Sequence, residues 1–263
     1  MKLLFSETAP DYARYQYPYV IWAAPEAGET PADFFAAGFL PASPQLDRFY
    51  LCRQLRVPLA EFQPTSENRR ILRKAPEAAC RLVPRAEFAY TPERKTAWLA
   101  YAAARFGDGV MSAPRLDSLM SAPVISHLLV FTDTPAGREV GTALLFLQPP
   151  RVAFYYYAFY DLAWADRNVG MFMMTSAVKF FAGQGFAHLH LGTCYSARAL
   201  YKAQFSGVEY FNGFAWSGDL AELKRVIGRQ TSGPHLLEEP EFQAAHGGWP
   251  AIVAATRFRS PLT

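Results

Sequence analysis

The chain is short of the residues from which many functional sites are built. It has three cysteines and five histidines in 263 residues. Cys52, Cys80 and Cys194 stand far apart and no CxxC pair occurs, which argues against a thiolate-rich zinc or iron–sulfur site. The odd cysteine count, with only a very short apolar run before Ser6 and Glu7 and no signal-peptide pattern, leads us to expect a reducing cytoplasm. No stretch approaches the roughly 20 apolar residues of a membrane span, so no membrane partner is expected. Net charge is also scarce. A value of +3 is too small to indicate nucleic-acid binding by bulk charge, which leaves the placement of the basic residues to decide. Charged residues make up 19% and hydrophobic ones 51%, a globular balance with enough apolar material for a sizeable core.

What is present is an ordered series of periodic segments. To about Pro84 the chain is rich in aromatics and prolines. PADFFAAGF reads as a helix ended by Gly38, and DRFYLCRQLRVPLAEF as one or two strands with Pro58 at an edge or break. TSENRRILRK opens a short basic helix, capped by Thr65 or Ser66, that projects Arg69, Arg70, Arg73 and Lys74. PERKTAWLAYAAARF is a second helix with Pro92 in its first turn and Trp98, Tyr101 and Arg105 at helical spacing. After a polar insert, VISHLLVFTD and REVGTALLFLQ read as strands around the turn TPAG, and RVAFYYYAFYD as a third. NVGMFMMTSAVKFFAGQG is a long helix and FAHLHLG a fourth strand. A short helix from about Asp219 and a Pro/Gly-rich tail close the chain.

The turn before the long helix carries Arg167, Asn168, Val169 and Gly170. The first N–H groups of a helix have no partner within it, so this mouth suits a phosphate. It is a candidate seat for an acyl donor carried on a nucleotide. Three strands, a helix and another strand match the core of the GNAT acyltransferase fold. The expected class is therefore α/β: a GNAT-like mixed, mostly antiparallel sheet flanked by helices, with a smaller N-terminal α/β subdomain.

Four segments make the likeness more specific. They are RQLRVPLAEFQPTSENRRILRK, WLAYAAARFGDGVM, AFYDLAWADRNVG and HLHLGTCYSARALYKAQFSGVEYF. In this order and spacing they resemble the arginyl-tRNA–protein transferase family, including its bacterial members that move leucine. The resemblance implies an enzyme that joins an amino acid from aminoacyl-tRNA to the N-terminal amine of proteins or peptides with acidic first residues. It needs no metal or cofactor beyond the aminoacyl-tRNA co-substrate. It singles out Tyr160, Asp161, Arg167, Asn168, Gly170, Tyr201, Lys202 and Phe205, and the basic helix with Arg69, Arg70 and Arg73. It also implies a division into an N-terminal subdomain over 1–84, a transferase domain over 85–228, and a tail over 229–263 that packs on the core. One departure stands out: the family's N-terminal cysteine cluster is reduced to Cys52, so no metal or cluster is expected.

Transfer from an ester to an amine is aminolysis, and positioning supplies much of its acceleration. A carboxylate such as Asp161 can relay the amine's proton or hold the amine in line. Tyr160 or Tyr201 can donate to the oxyanion or to the leaving ribose hydroxyl. Each residue also has a structural alternative. Tyr160 can pack in the core, Asp161 can cap the next turn, Arg167 and Gly170 can shape the helix start, and Lys202 can be a solvated lysine. Cys194 is expected as a small buried residue rather than a nucleophile. His188 and His190 share one strand face as structural residues. Arg69, Arg70, Arg73 and Lys74 form either a solvated face or, with Arg81, Arg85, Arg94 and Lys95, a patch that grips tRNA phosphates. Trp22 can stack on the unpaired tRNA end, or simply pack. Two other functions remain open on this scaffold. One is acyl-CoA N-acyl transfer, which a bulky Phe172 two positions after Gly170 disfavours by crowding a pyrophosphate. The other is a non-catalytic RNA or N-terminal-peptide binding module.

Overall fold

Three segments between His127 and Tyr160 are apolar over most of their length, and in the computed structural model they are adjacent strands of the larger sheet. The structure describes residues 1–7, 19–75, 78–133, 137–228 and 240–255. Most of the TPAG turn and much of the Pro/Gly-rich tail lie outside the described residues.

The chain begins with β1 (Lys2–Glu7), β2 (Tyr19–Ala24), helix α1 (Pro31–Ala36), β3 (Phe39–Pro41) and β4 (Phe49–Leu51). Their strands make a four-stranded antiparallel sheet in the order β1-β2-β4-β3. Then come β5 (Gln54–Pro58), α2 (Ser66–Leu72), β6 (Ala78–Pro84), α3 (Pro92–Phe106) and α4 (Ala113–Ser121). The meander β7 (His127–Asp133), β8 (Arg138–Gln148) and β9 (Val152–Tyr160) leads through a 3-10 turn into α5 (Val169–Gly183) and β10 (His188–Thr193). A second 3-10 segment (Ala197–Ala203) precedes β11 (Glu209–Phe211), β12 (Trp216–Ser217), α6 (Leu220–Gly228), α7 (Pro240–Ala245) and α8 (Trp249–Ala255). The eight-stranded sheet runs β12-β11-β5-β10-β9-β8-β7-β6. Among the described residues only β9 and β10 pair in parallel there. This is the mixed, mostly antiparallel sheet expected, with the GNAT-like order of meander, helix and parallel strand.

Both faces of the meander are covered, which is why its strands are apolar throughout rather than alternating. Leu129, Phe131, Leu145 and Ala153 face α5 and pack on Met173, Ala177 and Phe181. Their neighbours Leu128, Val130, Leu144 and Phe159 face α3 and α4 and pack on Trp98, Leu116 and Leu119. The tail's α7 and α8 place Phe242 and Ile252 on Phe214.

Two features depart from the expectations and two readings hold. The polar insert contains α4, capped by Ser112, whose oxygen accepts from the Arg115 N–H at 3.3 Å. The boundary at residue 84 does not separate the sheets. β5 lies inside the large sheet between β11 and β10, and β6 forms its edge, so residues before 84 build both sheets. DRFYLCRQLRVPLAEF gives two strands in different sheets, β4 in the small one and β5 in the large one. Thr65 does cap α2: its hydroxyl accepts from Asn68 N–H at 3.1 Å and the Asn68 side chain accepts from Thr65 N–H at 3.1 Å.

Candidate active site

Parallel β9 and β10 stay together over only three registers, ending at His190 opposite Phe154. Beyond that point β10 shifts register against β5, with Gly192 at φ +81°, a conformation L side chains rarely adopt. β9 also departs from regular pleating. Leu145 faces Tyr155 and Leu144 faces Tyr157, so Tyr156 is an extra residue bulged out of the ladder. The bulge changes which side chains face which layer: Tyr155 packs on the α5 side, while Tyr156 and Tyr157 both go to the other. The two strands separate, and a cleft of 560 Å³ opens between them at the mouth of α5.

The cleft brings together five of the expected residues: Tyr160, Asn168, Gly170, Tyr201 and Lys202. Asn168 has φ 57° and ends the 3-10 turn as it starts α5. Its carbonyl accepts from the Met171 and Phe172 N–H groups, each at 3.1 Å, which leaves Gly170 at the mouth. The Tyr160 ring lies directly in front of Gly170; a Cβ there would sit 3.2 Å from its edge. Arg105 donates to the Tyr160 hydroxyl oxygen at 2.7 Å. Because guanidinium is a donor only, Tyr160 keeps its own proton to donate elsewhere. Tyr201 is 47% exposed at the rim. Lys202 donates to the Thr193 carbonyl at 3.1 Å. Burial pushes its pKa down, against the opposing effect of Cys194. Burial also pushes the Cys194 thiol up, so this buried cysteine stays protonated rather than acting as a thiolate nucleophile.

Other expected residues lie elsewhere. Asp161 lines an adjoining pocket, accepting from Ala163 N–H at 3.0 Å and pairing with Arg138. It therefore does cap the following turn. Arg167 stacks over Trp164 at 4.4 Å. Phe172 is buried against Phe131, with ring centroids 6.2 Å apart, so it does not crowd the helix mouth; the Tyr160 ring occupies that place instead. Arg69, Arg70 and Arg73 do not line the cleft. Arg70 pairs with Glu67 at 2.6 Å, and Arg69 donates to the Pro64 carbonyl. The segment just before the helix that carries them is tied to the chain that follows two cleft residues. Ser206 donates to the Gln63 carbonyl at 2.6 Å and Phe62 meets Phe205, just beyond Tyr201 and Lys202. The wider basic patch is partly neutralised, since Arg94 pairs with Glu139 and Lys95 with Asp117. Trp22 sits in the small sheet under Arg48, away from the cleft. His190 is buried against the Gln54 side chain at 2.9 Å, a structural role.

Sequence reasoning missed two residues of the cleft. Arg105 interrupts the apolar stripe of α3, a signal that was visible. Tyr155 is buried, and its hydroxyl has no hydrogen-bond partner among the described residues. Its orientation depends on the bulge at Tyr156, which the run YYYAFY does not reveal. Among the described residues no group of three His, Cys, Asp or Glu side chains is placed to hold a metal ion. No helix among them is long and apolar enough to cross a membrane.

Comparison with known proteins agrees with the resemblance read in the four segments. No protein-family profile matches the chain. An aspartate/glutamate leucyltransferase of Cereibacter sphaeroides is 24% identical over 174 residues, covering 63% of this chain and 61% of that protein. One from Methylobacterium sp. (strain 4-46) is 28% identical over 180 residues, covering 63% and 71%. Thus the chain spans 61% of the length of the first of these relatives. Among solved structures, a GCN5-related N-acetyltransferase from Sphaerobacter thermophilus overlaps 66% of this chain and 51% of its own, at 13% identity and a TM-score of 0.38.

Proposed function

Proceeding from this kinship with bacterial leucyl-transferring proteins, we propose that the chain is an aminoacyl-tRNA-dependent aminoacyltransferase. It adds an amino acid of the leucyl or arginyl class to the N-terminal α-amine of proteins or peptides that begin with an acidic residue. The observation that carries this reading is the cleft where β9 and β10 separate. It is lined by Arg105 and Lys202 and, among the described residues, by no carboxylate, so it favours an anionic ligand such as the phosphorylated end of a charged tRNA. The phosphate is held at the backbone of Asn168 and Gly170, alongside the Tyr160 ring that covers the Cα side of Gly170, and Arg167 stands at the turn. Arg69 and Arg70 on α2 and Arg73 at its C-cap, on a helix whose preceding segment bonds Ser206 just beyond Tyr201 and Lys202, extend the basic surface toward the tRNA stem. The catalytic domain is the GNAT-like layer, and the site of action is the cytoplasm.

In the reaction the neutral amine nitrogen attacks the ester carbonyl carbon. A C–N bond forms, the carbon–oxygen bond to the ribose breaks, and the ribose oxygen leaves as a hydroxyl. Tyr160, anchored by Arg105, and Tyr201 donate to the developing oxyanion or to the leaving oxygen. Asp161, one residue beyond Tyr160, receives or relays the amine's proton. An α-amine with a pKa of about 7.7–8.0 needs little further help at neutral pH.

The test is label transfer. The protein is incubated with radiolabelled aminoacyl-tRNAs and a peptide beginning with Asp or Glu. Label is expected in the peptide, from leucyl- or arginyl-tRNA. Transfer from acetyl-CoA alone would overturn the proposal in favour of an ordinary N-acyltransferase. Saturable tRNA or peptide binding without any transfer would leave only a binding module.

A further inference from the structure

A second pocket, of 720 Å³, adjoins the cleft and shares Tyr101 and Tyr160 with it as a common wall. Its floor is aromatic: Trp98 stacks on Phe159 at 4.8 Å, and Tyr101 meets Tyr160 edge-on at 4.7 Å. Two ion pairs stand at its rim, and they differ. Arg94 is tied down. It bonds Glu139 through two nitrogens, at 2.6 and 3.2 Å, and lies over the Phe88 ring, while Glu139 also accepts from Thr142. Arg138 is 59% exposed and reaches one carboxylate oxygen of Asp161, whose other oxygen is fixed by the Ala163 N–H.

We propose that this pocket seats the first residue of an acidic acceptor, with Asp161 holding its α-ammonium and Arg138 its side-chain carboxylate. This rests on the aminoacyl-transfer reading. An N-terminal aspartate or glutamate carries a positive amine and a negative carboxylate a few bonds apart. That is the opposite order of charge to Arg138 and Asp161. Docking replaces one ion pair by two, so no charge is left without a partner. An asparagine or glutamine can satisfy Asp161 but not the guanidinium, and an N-acetylated residue can satisfy Arg138 but not Asp161. The pocket is large enough for a residue or two of peptide, and its aromatic floor takes the aliphatic part of the chain. The amine held at Asp161 then lies beside Tyr160, at the edge that this pocket shares with the cleft proposed to receive the donor ester.

Peptide binding can be read without tRNA by fluorescence anisotropy, using peptides that start with Asp, Asn or N-acetyl-Asp and are otherwise identical. The wild-type chain is expected to bind the Asp peptide at least about tenfold tighter than either of the others, a gap of about 1.4 kcal/mol. Arg138→Gln should abolish the preference for Asp over Asn yet keep the penalty for acetylation. Arg138→Lys should retain part of the preference, and its unfolding midpoint guards against a folding artefact. Equal wild-type binding of the Asp and Asn peptides overturns the proposal, as does a preference that survives in Arg138→Gln. If the binding pattern holds but no aminoacyl-tRNA donates, the donor reading fails while the acceptor site stands. If transfer occurs without dependence on Arg138, the acceptor site fails alone.

Discussion

Tyr155 stores an unmet demand. Its hydroxyl is buried beside Leu191, Tyr201 and Lys202 without a hydrogen-bond partner among the described residues. Leaving such a group unsatisfied costs about 1–3 kcal/mol. Burial holds its pKa well above the ordinary tyrosine value, so it keeps its proton and can only gain by donating it. A ligand oxygen entering the cleft would meet that demand. Tyr155→Phe removes the orphan hydroxyl and keeps the ring. The variant should unfold at the same or a slightly higher denaturant concentration, by up to about 1 kcal/mol, while single-turnover transfer slows. Lower stability with unchanged transfer would make Tyr155 a packing residue. Asp161 shows how far a single residue was readable. The sequence indicated both a cap and a site residue. The cap is observed, but its pairing with Arg138 joins residues 23 apart in the chain, and no local pattern announces that contact.

At the scale of elements, legibility followed the length of the periodic signal. α3, α5 and the meander are long and were read nearly to their ends. α4 was passed over although Ser112, Pro114 and the apolar trio Leu116, Leu119 and Met120 mark a capped amphipathic helix; its nine residues are mixed with charge. β6, β11 and β12 are edge or near-edge strands of seven, three and two residues, held by pairing with strands distant in sequence or by a short hairpin rather than by pattern. The insertion of β5 between β11 and β10 is a long-range choice, invisible in QLRVP itself. The packing of α3 on β9 is testable. Trp98 lies between Phe88 at 5.9 Å and Phe159 at 4.8 Å, nearly parallel to both. Trp98→Ala should cost about 3–5 kcal/mol of unfolding free energy. Because Trp98 also floors the second pocket, Asp-peptide affinity should fall under conditions where the variant is still folded. A loss below about 1 kcal/mol would mean the α3 layer collapses around the gap.

For the whole molecule the relevant forces are pH and salt. His188 is pushed down to about 4, chiefly by burial and then by Arg56, and burial holds His190 well below the ordinary histidine value. On acidification the unfolded chain takes up protons near pH 6.5, while the folded chain resists until about pH 4 at His188. Folding stability is therefore fully present above pH 6.5 and declines as pH falls from 6.5 towards 4. Denaturant midpoints measured across that range should fall less steeply in His188→Gln than in the wild type; parallel curves would remove His188 from the acid response. Salt tests the outer surface. With a bulk charge of only +3, the proposed tRNA binding requires local basic groups. The candidates are Arg69 on α2 and Arg73 at its C-cap; the segment before that helix is fastened through Gln63 to Ser206, a few residues beyond the cleft residues Tyr201 and Lys202. Neither is part of the core, so charge reversal at both should leave the fold intact. If they touch the acceptor stem, each lost phosphate contact lowers the slope of log affinity against log salt by about 0.9. The double variant Arg69→Glu, Arg73→Glu should thus bind tRNA more weakly at 50 mM than at 200 mM salt relative to wild type, with its salt slope reduced by about 1–2. Asp-peptide binding, seated across the Tyr160 wall, should not change. A full salt slope in that variant would make α2 a solvated face and leave the cleft to bind the RNA end without it.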